Sequence, residues 1–266
     1  MLFSIITVSY NSEKTIERTI LSVLKQTYTD YEYIIVDGAS KDTTIEIVKK
    51  YESLFDGRLK WISEPDSGIY NAMNKGIKMS KGKIIGIVNS DDWLTDSALQ
   101  ILSDEISADD SNMNKILTGE VLFHYDDGET QLYPTTHERY VYYAKQYRMG
   151  LNHPATFVPR IIYDRIGLFD EQFRLYADAD FIIRCYEADV PVHFIHQVLS
   201  NMSDGGASNV HSKKELSDSL LKYKKHCKSN GEYLKKAFIC RFNWSLRTLI
   251  PEWYVRRYRK KHNSKS

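Results

Sequence analysis

The chain has 266 residues, of which 42% are hydrophobic and 27% are charged. This composition is typical of a globular protein of one or two domains and argues against a disordered chain. Lys and Arg number 36 against 35 Asp and Glu, so the net charge of +1 gives no global attraction to nucleic acid, and a nucleic-acid-binding protein is not expected. The three cysteines are widely spaced, which favours a reducing compartment over a disulfide framework or a zinc site.

Membrane and export signals are weak in this sequence. The longest apolar runs, such as 84–88, are about a quarter of the roughly 20 residues that a membrane span needs. The N-terminus carries no Lys or Arg ahead of its short apolar segment, so no signal peptide is predicted. We therefore expect a cytoplasmic protein.

Strand and helix patterns alternate through the first part of the chain. Apolar, β-branched runs predict strands at 3–8, 33–36, 59–62 and 83–88. Helical spacing of apolar residues predicts helices at 16–24, 42–51, 69–79 and 95–106. Strands that are apolar along their whole length indicate a parallel sheet covered on both faces, and ligands of such a sheet bind at the carboxyl ends of its strands.

The second part of the chain is less regular. Its pattern predicts a hairpin at 116–125 and 130–133, an extended segment at 152–159, a helix at 177–188, a strand at 192–195 and a lysine-rich helical region at 213–249. The tail from Pro251 has six Lys or Arg against one acid, Glu252. We interpret the chain as one catalytic domain, residues 1–210, followed by a helical basic extension, residues 211–266.

Polar residues follow each of the first four predicted strands. They are Ser9-Tyr10-Asn11, Asp37-Gly38-Ala39-Ser40, Glu64-Pro65-Asp66-Ser67-Gly68 and Asn89-Ser90-Asp91-Asp92. One Asp after a strand is often a helix cap, but three acidic strand ends on one side of a sheet indicate a binding site. The adjacent carboxylates of Asp91 and Asp92 favour a shared cation, and a few hard oxygen ligands suit Mg²⁺ or Mn²⁺ with a phosphate completing the shell.

Neither the G-x-x-x-x-G-K-[ST] nor the G-x-G-x-x-G phosphate signature occurs, so a diphosphate is expected to be held by metal. Four segments together resemble family 2 glycosyltransferases of the GT-A fold: Thr7-Val-Ser-Tyr-Asn11, Asp37-Gly-Ala-Ser-Lys-Asp42, Ser63-Glu-Pro-Asp-Ser-Gly-Ile-Tyr-Asn-Ala-Met-Asn-Lys-Gly76 and Asn89-Ser-Asp-Asp-Trp93. The resemblance covers roughly residues 1–200. It implies an α/β fold, a Rossmann-like and mostly parallel sheet flanked by helices, with a helical C-terminal extension.

The resemblance implies a nucleotide site, usually for uridine, at the first three of these segments and the start of the fourth. The implied nucleotide-binding residues are Thr7, Ser9, Tyr10, Asn11, Asp37, Glu64, Asp66, Lys75 and Asn89. Within this set, Tyr10 is expected to stack on the base and Asp37 to hydrogen bond the base or ribose. Lys75 is expected to offset phosphate charge, with a merely solvated lysine as the alternative.

Asn89-Ser90-Asp91 occupies the place of the family's D-x-D metal motif, with Asn at the first position. The resemblance implies that Asp91 is a ligand of Mn²⁺ or Mg²⁺, and that Asp92 either ligates the metal or orients a ligand. A cap of the following helix is the alternative interpretation of these acids.

An inverting transfer also needs a carboxylate that takes the proton of the acceptor hydroxyl. Tyr176-Ala-Asp-Ala-Asp-Phe181 resembles the family's later acidic motif, which maps the base onto Asp178, although Ala177 stands where an acid is usual. Asp180 is the alternative base and equally suits a helix cap. His153-Pro154 resembles a feature of the acceptor side, with a structural histidine as the alternative.

The resemblance predicts an inverting, metal-dependent hexosyl- or N-acetylhexosaminyl-transferase. Its donor is a nucleoside diphosphate sugar, expected to be UDP-linked, and its acceptor a saccharide or lipid-linked saccharide in cell-surface polysaccharide assembly. A non-catalytic nucleotide-sugar-binding module and a sugar-nucleotidyltransferase are the alternatives. The second would normally show a glycine-rich, Arg-containing loop in place of Ser9-Tyr-Asn-Ser-Glu13.

Two C-terminal features carry further expectations. Gly205-Gly206, Ser208 and His211 resemble a loop that folds over the diphosphate. The basic tail, with Trp253, Tyr254 and Tyr258 among its Lys and Arg, predicts peripheral contact with the inner face of an anionic membrane. A partner enzyme and a solvated helix are the alternatives for the tail.

Overall fold

The structure of the protein is a computed structural model that describes residues 1–204, 212–247 and 250. The strands of the described residues are β1 Phe3–Ser9, β2 Tyr31–Asp37, β3 Leu59–Ser63, β4 Ile84–Ile87, β5 Trp93–Leu94, β6 Ile116–His124, β7 Thr130–Tyr133, β8 Thr156–Pro159 and β9 Val192–Ser203. The helices are α1 Ile16–Leu24, α2 Thr44–Glu52, α3 Ile69–Met79, α4 Ala98–Ala108, α5 His137–Ala144, α6 Arg160–Ile166, α7 Ala177–Glu187, α8 Lys213–His226 and α9 Asn230–Arg247.

The strands form one sheet in the order β3-β2-β1-β4-β8-β6-β9-β5, with β7 paired to β6. Strands β1 to β4 are mutually parallel, as the sequence predicts. Strand β8 is antiparallel to both β4 and β6, and β6 is parallel to β9. The predicted α/β architecture, a Rossmann-like sheet flanked by helices, is confirmed.

The core lies on both faces of this sheet, which explains why its strands are apolar along their whole length. In β1, Phe3 and Ile5 pack into a cluster with α1, α2 and α4, whereas Ile6 and Val8 pack into a second cluster with α3, α6 and α7. Residues of one strand alternate between faces because successive side chains point to opposite sides of the sheet. Two helical layers therefore enclose the sheet.

The second part of the chain departs from the sequence expectations in several places. The extended segment at 152–159 becomes a short 3-10 turn, His153–Ala155, followed by β8, and the sequence pattern did not predict α5 or α6. Strand β9 continues well past the predicted end at residue 195, because it pairs with β6 as far as Ser203 and with β5 at Ser200 and Asn201. The helical region from 213 is confirmed, but it forms two helices, α8 and α9.

The topology places chemically useful residues at one edge. The residues that follow β1, β2, β3 and β4 lie at the same side of the sheet because these strands are parallel. We call this side the carboxyl edge. Since β8 is antiparallel to β4, His153, which precedes β8, also lies at the carboxyl edge. The domain boundary at residue 210 stays a prediction, because 205–211 lie outside the described residues.

Candidate active site

Hydrogen bonds join the loops that follow β1, β2 and β4. Asn11 has a left-handed backbone with φ 50°. Its backbone N–H donates to Ser40 Oγ at 2.8 Å, and its Oδ1 accepts from the Lys41 N–H at 2.8 Å. Ser12 Oγ lies 2.8 Å from Ser90 Oγ, which ties the first loop to the fourth. The predicted convergence of these strand ends is present in the structure.

Asp37 is fully buried at the end of β2, and both of its carboxylate oxygens accept hydrogen bonds. Oδ1 accepts from the hydroxyls of Ser9, at 3.0 Å, and Ser40. Oδ2 accepts from the Ser40 N–H at 2.9 Å and from the Ser63 hydroxyl at 2.7 Å. In this structure Asp37 and Ser9 therefore fix the loops of three strands. The expected contact of Asp37 with the base or ribose stays a prediction.

The space beside Gly38 is the best candidate for the nucleoside pocket. A Cβ at Gly38 would lie 2.6 Å from Asp66 Oδ2 and 3.3 Å from the Tyr10 ring, so the absence of a side chain lets both approach. Tyr10 is 63% exposed, which leaves its ring free to stack on a base. Thr7 is different: it is fully buried, and its hydroxyl accepts from Tyr33 at 3.0 Å. The structure brings Tyr10 and Asp66 together but keeps Thr7 in the core.

Lys75 on α3 is paired within the protein. Its Nζ lies 2.7 Å from Glu64 Oε1 and donates to the Pro65 carbonyl at 3.1 Å. These contacts hold the segment after β3 against α3. The expected contacts of Glu64 and Lys75 with the nucleotide sugar stay predictions, and a phosphate would have to compete with Glu64 for the lysine.

The Asn89–Asp92 turn holds two adjacent carboxyl groups whose pKa values the nearby Arg18 charge does not bring down to the ordinary value. Burial raises the pKa of Asp91, and the Arg18 charge only partly opposes this. Burial and the neighbouring Asp91 charge together raise the pKa of Asp92 well above its ordinary value. Asn89 Nδ2 donates weakly to Asp92 Oδ2 at 3.4 Å, while the buried Oδ1 of Asn89 has no hydrogen-bond partner in the described part of the chain.

These features fit a divalent cation. A buried carbonyl oxygen without a donor and two adjacent carboxylates are ligands that Mg²⁺ and Mn²⁺ accept, and a cation would relieve the repulsion between the acids. Asp92 is only 1% exposed, which favours an orienting role for it, whereas Asp91 is half-buried. Within the described residues no group of three or more His, Cys, Asp or Glu is placed to hold a metal, so other oxygens, such as those of a phosphate, would have to complete the shell.

Asp178 lies in the first turn of α7, and a long-range contact holds it. Tyr70 at the start of α3 donates to Asp178 Oδ1 at 3.1 Å, and the Ala179 N–H donates to the same oxygen at 2.8 Å. Asp178 and His153 line a small cavity of about 20 Å³ together with Ile87 of β4. Burial lowers the pKa of His153, and the Asp178 charge opposes this. The structure thus brings Asp178 and His153 together at the carboxyl edge.

Asp180 faces a different environment. It is fully buried, and its carboxylate contacts Arg184 Nε at 2.8 Å, Lys225 Nζ at 2.9 Å and His226 Nε2 at 2.9 Å. Burial by itself would raise the pKa of Asp180, but the hydrogen bonds from His226, Lys225 and Arg184 outweigh it and lower the pKa to about 2. This carboxylate joins α7 to α8, so its geometry favours a structural role over that of a base.

Three residues that the sequence reasoning did not single out contribute to the site. Tyr70 holds Asp178, and it lies within the Ser63–Gly76 segment that carried the family resemblance. Arg18 donates to the Asp91 carbonyl at 2.8 Å, and its guanidinium lies 3.6 Å from the centre of the Trp93 ring. Lys222 of α8 is 5% exposed, and its charge interacts with Asp178. For Arg18 and Lys222 no sequence spacing signals these long-range contacts.

Some expected features fall outside the described residues. Gly205-Gly206, Ser208 and His211 do, and so does the basic tail from Pro251. In the described part of the chain, no helix combines the length and the hydrophobicity that a membrane crossing requires.

The carboxyl edge has the parts that a transferase of activated sugars needs: an open aromatic beside a glycine, a turn of metal-type oxygens and a separate carboxylate. Residues 4–165, more than half of the chain, match glycosyl transferase family 2, and the chain belongs to this family. A PGL/p-HBAD biosynthesis glycosyltransferase of Mycobacterium bovis is 27% identical over 81% of this chain and 82% of its own length.

Solved structures show the same fold. The structure of S. aureus TarS residues 1–349 in complex with UDP has a TM-score of 0.67 at 21% identity, over 89% of this chain and 68% of that one. The structure of GalNAc-T7 with UDP, GalNAc and Mn²⁺ has a TM-score of 0.68 at 17% identity, over 100% of this chain and 55% of that one. The GT-A fold expected from the sequence is confirmed, and at these identities the likeness speaks for the fold alone.

Proposed function

We propose that this family 2 glycosyltransferase moves a hexosyl or N-acetylhexosaminyl group, with inversion, from a UDP-sugar to a hydroxyl of a saccharide or lipid-linked saccharide. The observation that carries the proposal is that contacts and short chain connections link the candidate groups along the carboxyl edge. Tyr10 and Asp66 meet at Gly38, and the 66–70 segment leads to Tyr70, which holds Asp178. Asp178 in turn shares a cavity with Ile87, just ahead of the Asn89–Asp92 turn.

Each part has a chemical task in this proposal. Tyr10 stacks on the base, and Asp66 faces the nucleotide sugar. Asn89 and Asp91 would hold Mn²⁺ or Mg²⁺, with Asp92 orienting them, and such an ion neutralises negative charge on a diphosphate leaving group. Asp178 takes the proton of the acceptor hydroxyl, and Tyr70 keeps its carboxylate in place.

The proposal for UDP is supported by the family membership and by structural neighbours solved with UDP. A metal is supported by the neighbour solved with Mn²⁺ and by the unpartnered Asn89 Oδ1. The setting we propose, cell-surface polysaccharide or oligosaccharide assembly on the cytoplasmic side of a membrane, follows from the family resemblance. Peripheral membrane contact through the basic tail belongs to the same proposal.

Thermal unfolding with UDP, in the presence and absence of Mn²⁺, tests the donor site. A ligand at 100 times its dissociation constant adds about 2.7 kcal/mol, which is a visible shift. We expect UDP with Mn²⁺ to stabilise the parent protein and Asp96→Ala alike, and to have no effect on Asp91→Ala. Asp96 is a matched control because it is an exposed aspartate just after β5. Its backbone carbonyl, which the substitution keeps, accepts from the Thr27 N–H.

Two outcomes would count against the proposal. If no nucleoside diphosphate stabilises the parent with or without metal, the transferase interpretation fails. If another diphosphate stabilises it and UDP does not, the uridine assignment alone fails. Inversion is tested separately by the anomeric configuration of the product in NMR, since retention of the donor configuration contradicts Asp178 as a base acting in a single displacement.

A further inference from the structure

One side of helix α9 exposes a row of apolar side chains. They are Leu234, Phe238, Ile239, Phe242 and Leu246, with exposed fractions of 65%, 71%, 45%, 55% and 43%. We call these five residues the α9 apolar face. Four of them recur at every fourth position, which places them along one stripe of the helix.

The opposite side of α9 packs against the rest of the protein. Ala237 is 4% exposed, and Cys240 and Trp244 are half-buried on the same side. Trp244 Nε1 donates to the Ser212 carbonyl at the start of α8. Because this packing uses the other side of the helix, the α9 apolar face contributes little to holding the described residues together.

The exposed face includes a pair of large rings. The Phe238 and Phe242 rings stack with their centres 6.4 Å apart and their planes 11° apart. Soluble proteins rarely expose contiguous apolar patches of this kind unless another surface covers them. The α9 apolar face is therefore a candidate interaction surface.

Charge indicates the chemistry of that surface. Helix α9 carries Lys235, Lys236, Arg241 and Arg247, against the single acid Glu232. Lys235 and Arg241 are exposed, whereas Arg247 pairs with Glu215 and Lys236 lies over the Tyr147 ring. The sequence continues from Pro251 with six Lys or Arg against one acid. A helix with an apolar face and basic flanks is suited to the boundary of an anionic lipid layer, where its apolar side chains enter the acyl region and its cations meet the headgroups. A second copy of this chain would instead bring like charges together.

We propose that the α9 apolar face docks the protein on an anionic lipid surface, with α9 lying in the plane of the interface. This docking rests on the proposed function, which includes peripheral membrane contact through the basic tail. The α9 apolar face is a second contact surface, separate from the tail. Helix α9 packs on α8, and α8 is joined to α7 by His226 and Asp180. Docking through α9 therefore holds the helix that carries Asp178 close to a lipid-linked acceptor.

Vesicle co-sedimentation of the full chain tests the proposal. The double variant Phe238→Ser/Phe242→Ser removes the two rings, and Ile161→Ser is the matched control because Ile161 is an apolar residue on helix α6 that is 58% exposed. We expect the parent and Ile161→Ser to bind vesicles of phosphatidylcholine with phosphatidylglycerol, and to bind pure phosphatidylcholine much less. Loss of two phenyl rings that would enter the lipid should weaken binding by the double variant at least about tenfold.

Equal binding by the double variant and the parent would overturn the proposal, because the basic tail alone would then account for the attraction. Absence of binding to anionic vesicles would overturn it as well. So would a dimer of the parent in light scattering that the double variant no longer forms, since a second copy would then cover the face. A cooperative thermal unfolding transition without ligand, with a midpoint close to that of the parent, shows that the variants are folded. A missing UDP-induced shift in the same samples would concern the donor site and not the membrane surface.

Discussion

At the interface of α7 and α8, the Asp180 carboxylate contacts Arg184, Lys225 and His226 and is surrounded by compensating groups. At the carboxyl edge, the buried Asp92 follows the half-buried Asp91, and the Arg18 charge only partly offsets their raised pKa values. The buried Asn89 Oδ1 of the same turn accepts no hydrogen bond from the described residues. Both regions bury carboxyl groups, but basic neighbours lower the pKa of Asp180, whereas the pKa values of Asp91 and Asp92 stay raised. A carboxylate buried among several basic groups holds a structure together, whereas buried carboxyl groups with a raised pKa and little compensating charge are candidates for binding a cation.

The same contrast separates two residues of one helix. Asp178 and Asp180 both lie in the first turn of α7. Asp178 accepts from the neutral hydroxyl of Tyr70 and lines a cavity, while Asp180 contacts three basic side chains and is fully buried. A difference of two positions turns these carboxylates toward different neighbours, so their substitution should affect different properties.

The largest effect is expected for Asp178→Asn. Removal of a general base lowers kcat by about 10²–10⁴-fold, and we expect a loss near the middle of that range. UDP binding and the midpoint of thermal unfolding should stay close to those of the parent, because the amide oxygen of Asn can still accept from Tyr70 and from the Ala179 N–H. Steady-state transfer assays with the preferred donor would measure the loss. Activity within a few-fold of the parent would remove Asp178 from the proposed role.

Asp180→Asn should act on stability. The substitution leaves Arg184, Lys225 and His226 around a neutral amide, and breaking a buried ion pair costs about 3–5 kcal/mol. Urea unfolding of the two Asn variants beside the parent measures the difference. If Asp178→Asn lowered the free energy of unfolding as much as Asp180→Asn, the contrast between the two carboxylates would be wrong.

The sequence predicts the first half of the fold well, because β1 to β4 are buried on both faces and their apolar runs are unambiguous. Helices α5 and α6 escaped prediction, since they are short, and His137–Ala144 is rich in tyrosine, whose weak helix preference hides the pattern. At the site, Asn89 and Asp91 come soon after β4, so the sequence alone could identify them as candidate metal ligands. The choice between Asp178 and Asp180 depends on Tyr70 and on His226, partners that lie far away in the chain.

Low pH should weaken the ion pairs of Asp180 and so lower the free energy of unfolding. Its pKa is lowered from 3.8 to about 2, so its contribution to stability is present above pH 3.8 and is lost as the pH falls toward 2. The shift corresponds to about 2 kcal/mol by linkage. We expect the parent to lose this amount between pH 5 and pH 2 in addition to any loss shown by Asp180→Asn. Urea unfolding at each pH measures the two free energies. If they changed equally with pH in the parent and in Asp180→Asn, the stabilising role of the Asp180 carboxylate would be contradicted.

Lys222 lies between the two regions and gives the smallest expected effect. It is 5% exposed on α8, its Nζ lies 4.7 Å from the centre of the Tyr176 ring, and burial lowers its pKa to about 8 against the opposing charge of Asp178. Between pH 8 and the ordinary pKa of 10.5, the unfolded chain binds this proton while the folded protein releases it, so this group makes the free energy of unfolding increase with pH.

We therefore expect the free energy of unfolding of the parent to rise by about 1 kcal/mol between pH 8 and pH 9 relative to Lys222→Met, in which this proton is absent. Urea unfolding at the two pH values measures the difference, and the comparison cancels the titration of other groups. Identical pH dependence in the two proteins would mean that Lys222 keeps its proton in the folded state. Its charge would then be neutralised as fully as those around Asp180, and Lys222 would belong to the compensated interface and not to the site around Asp178.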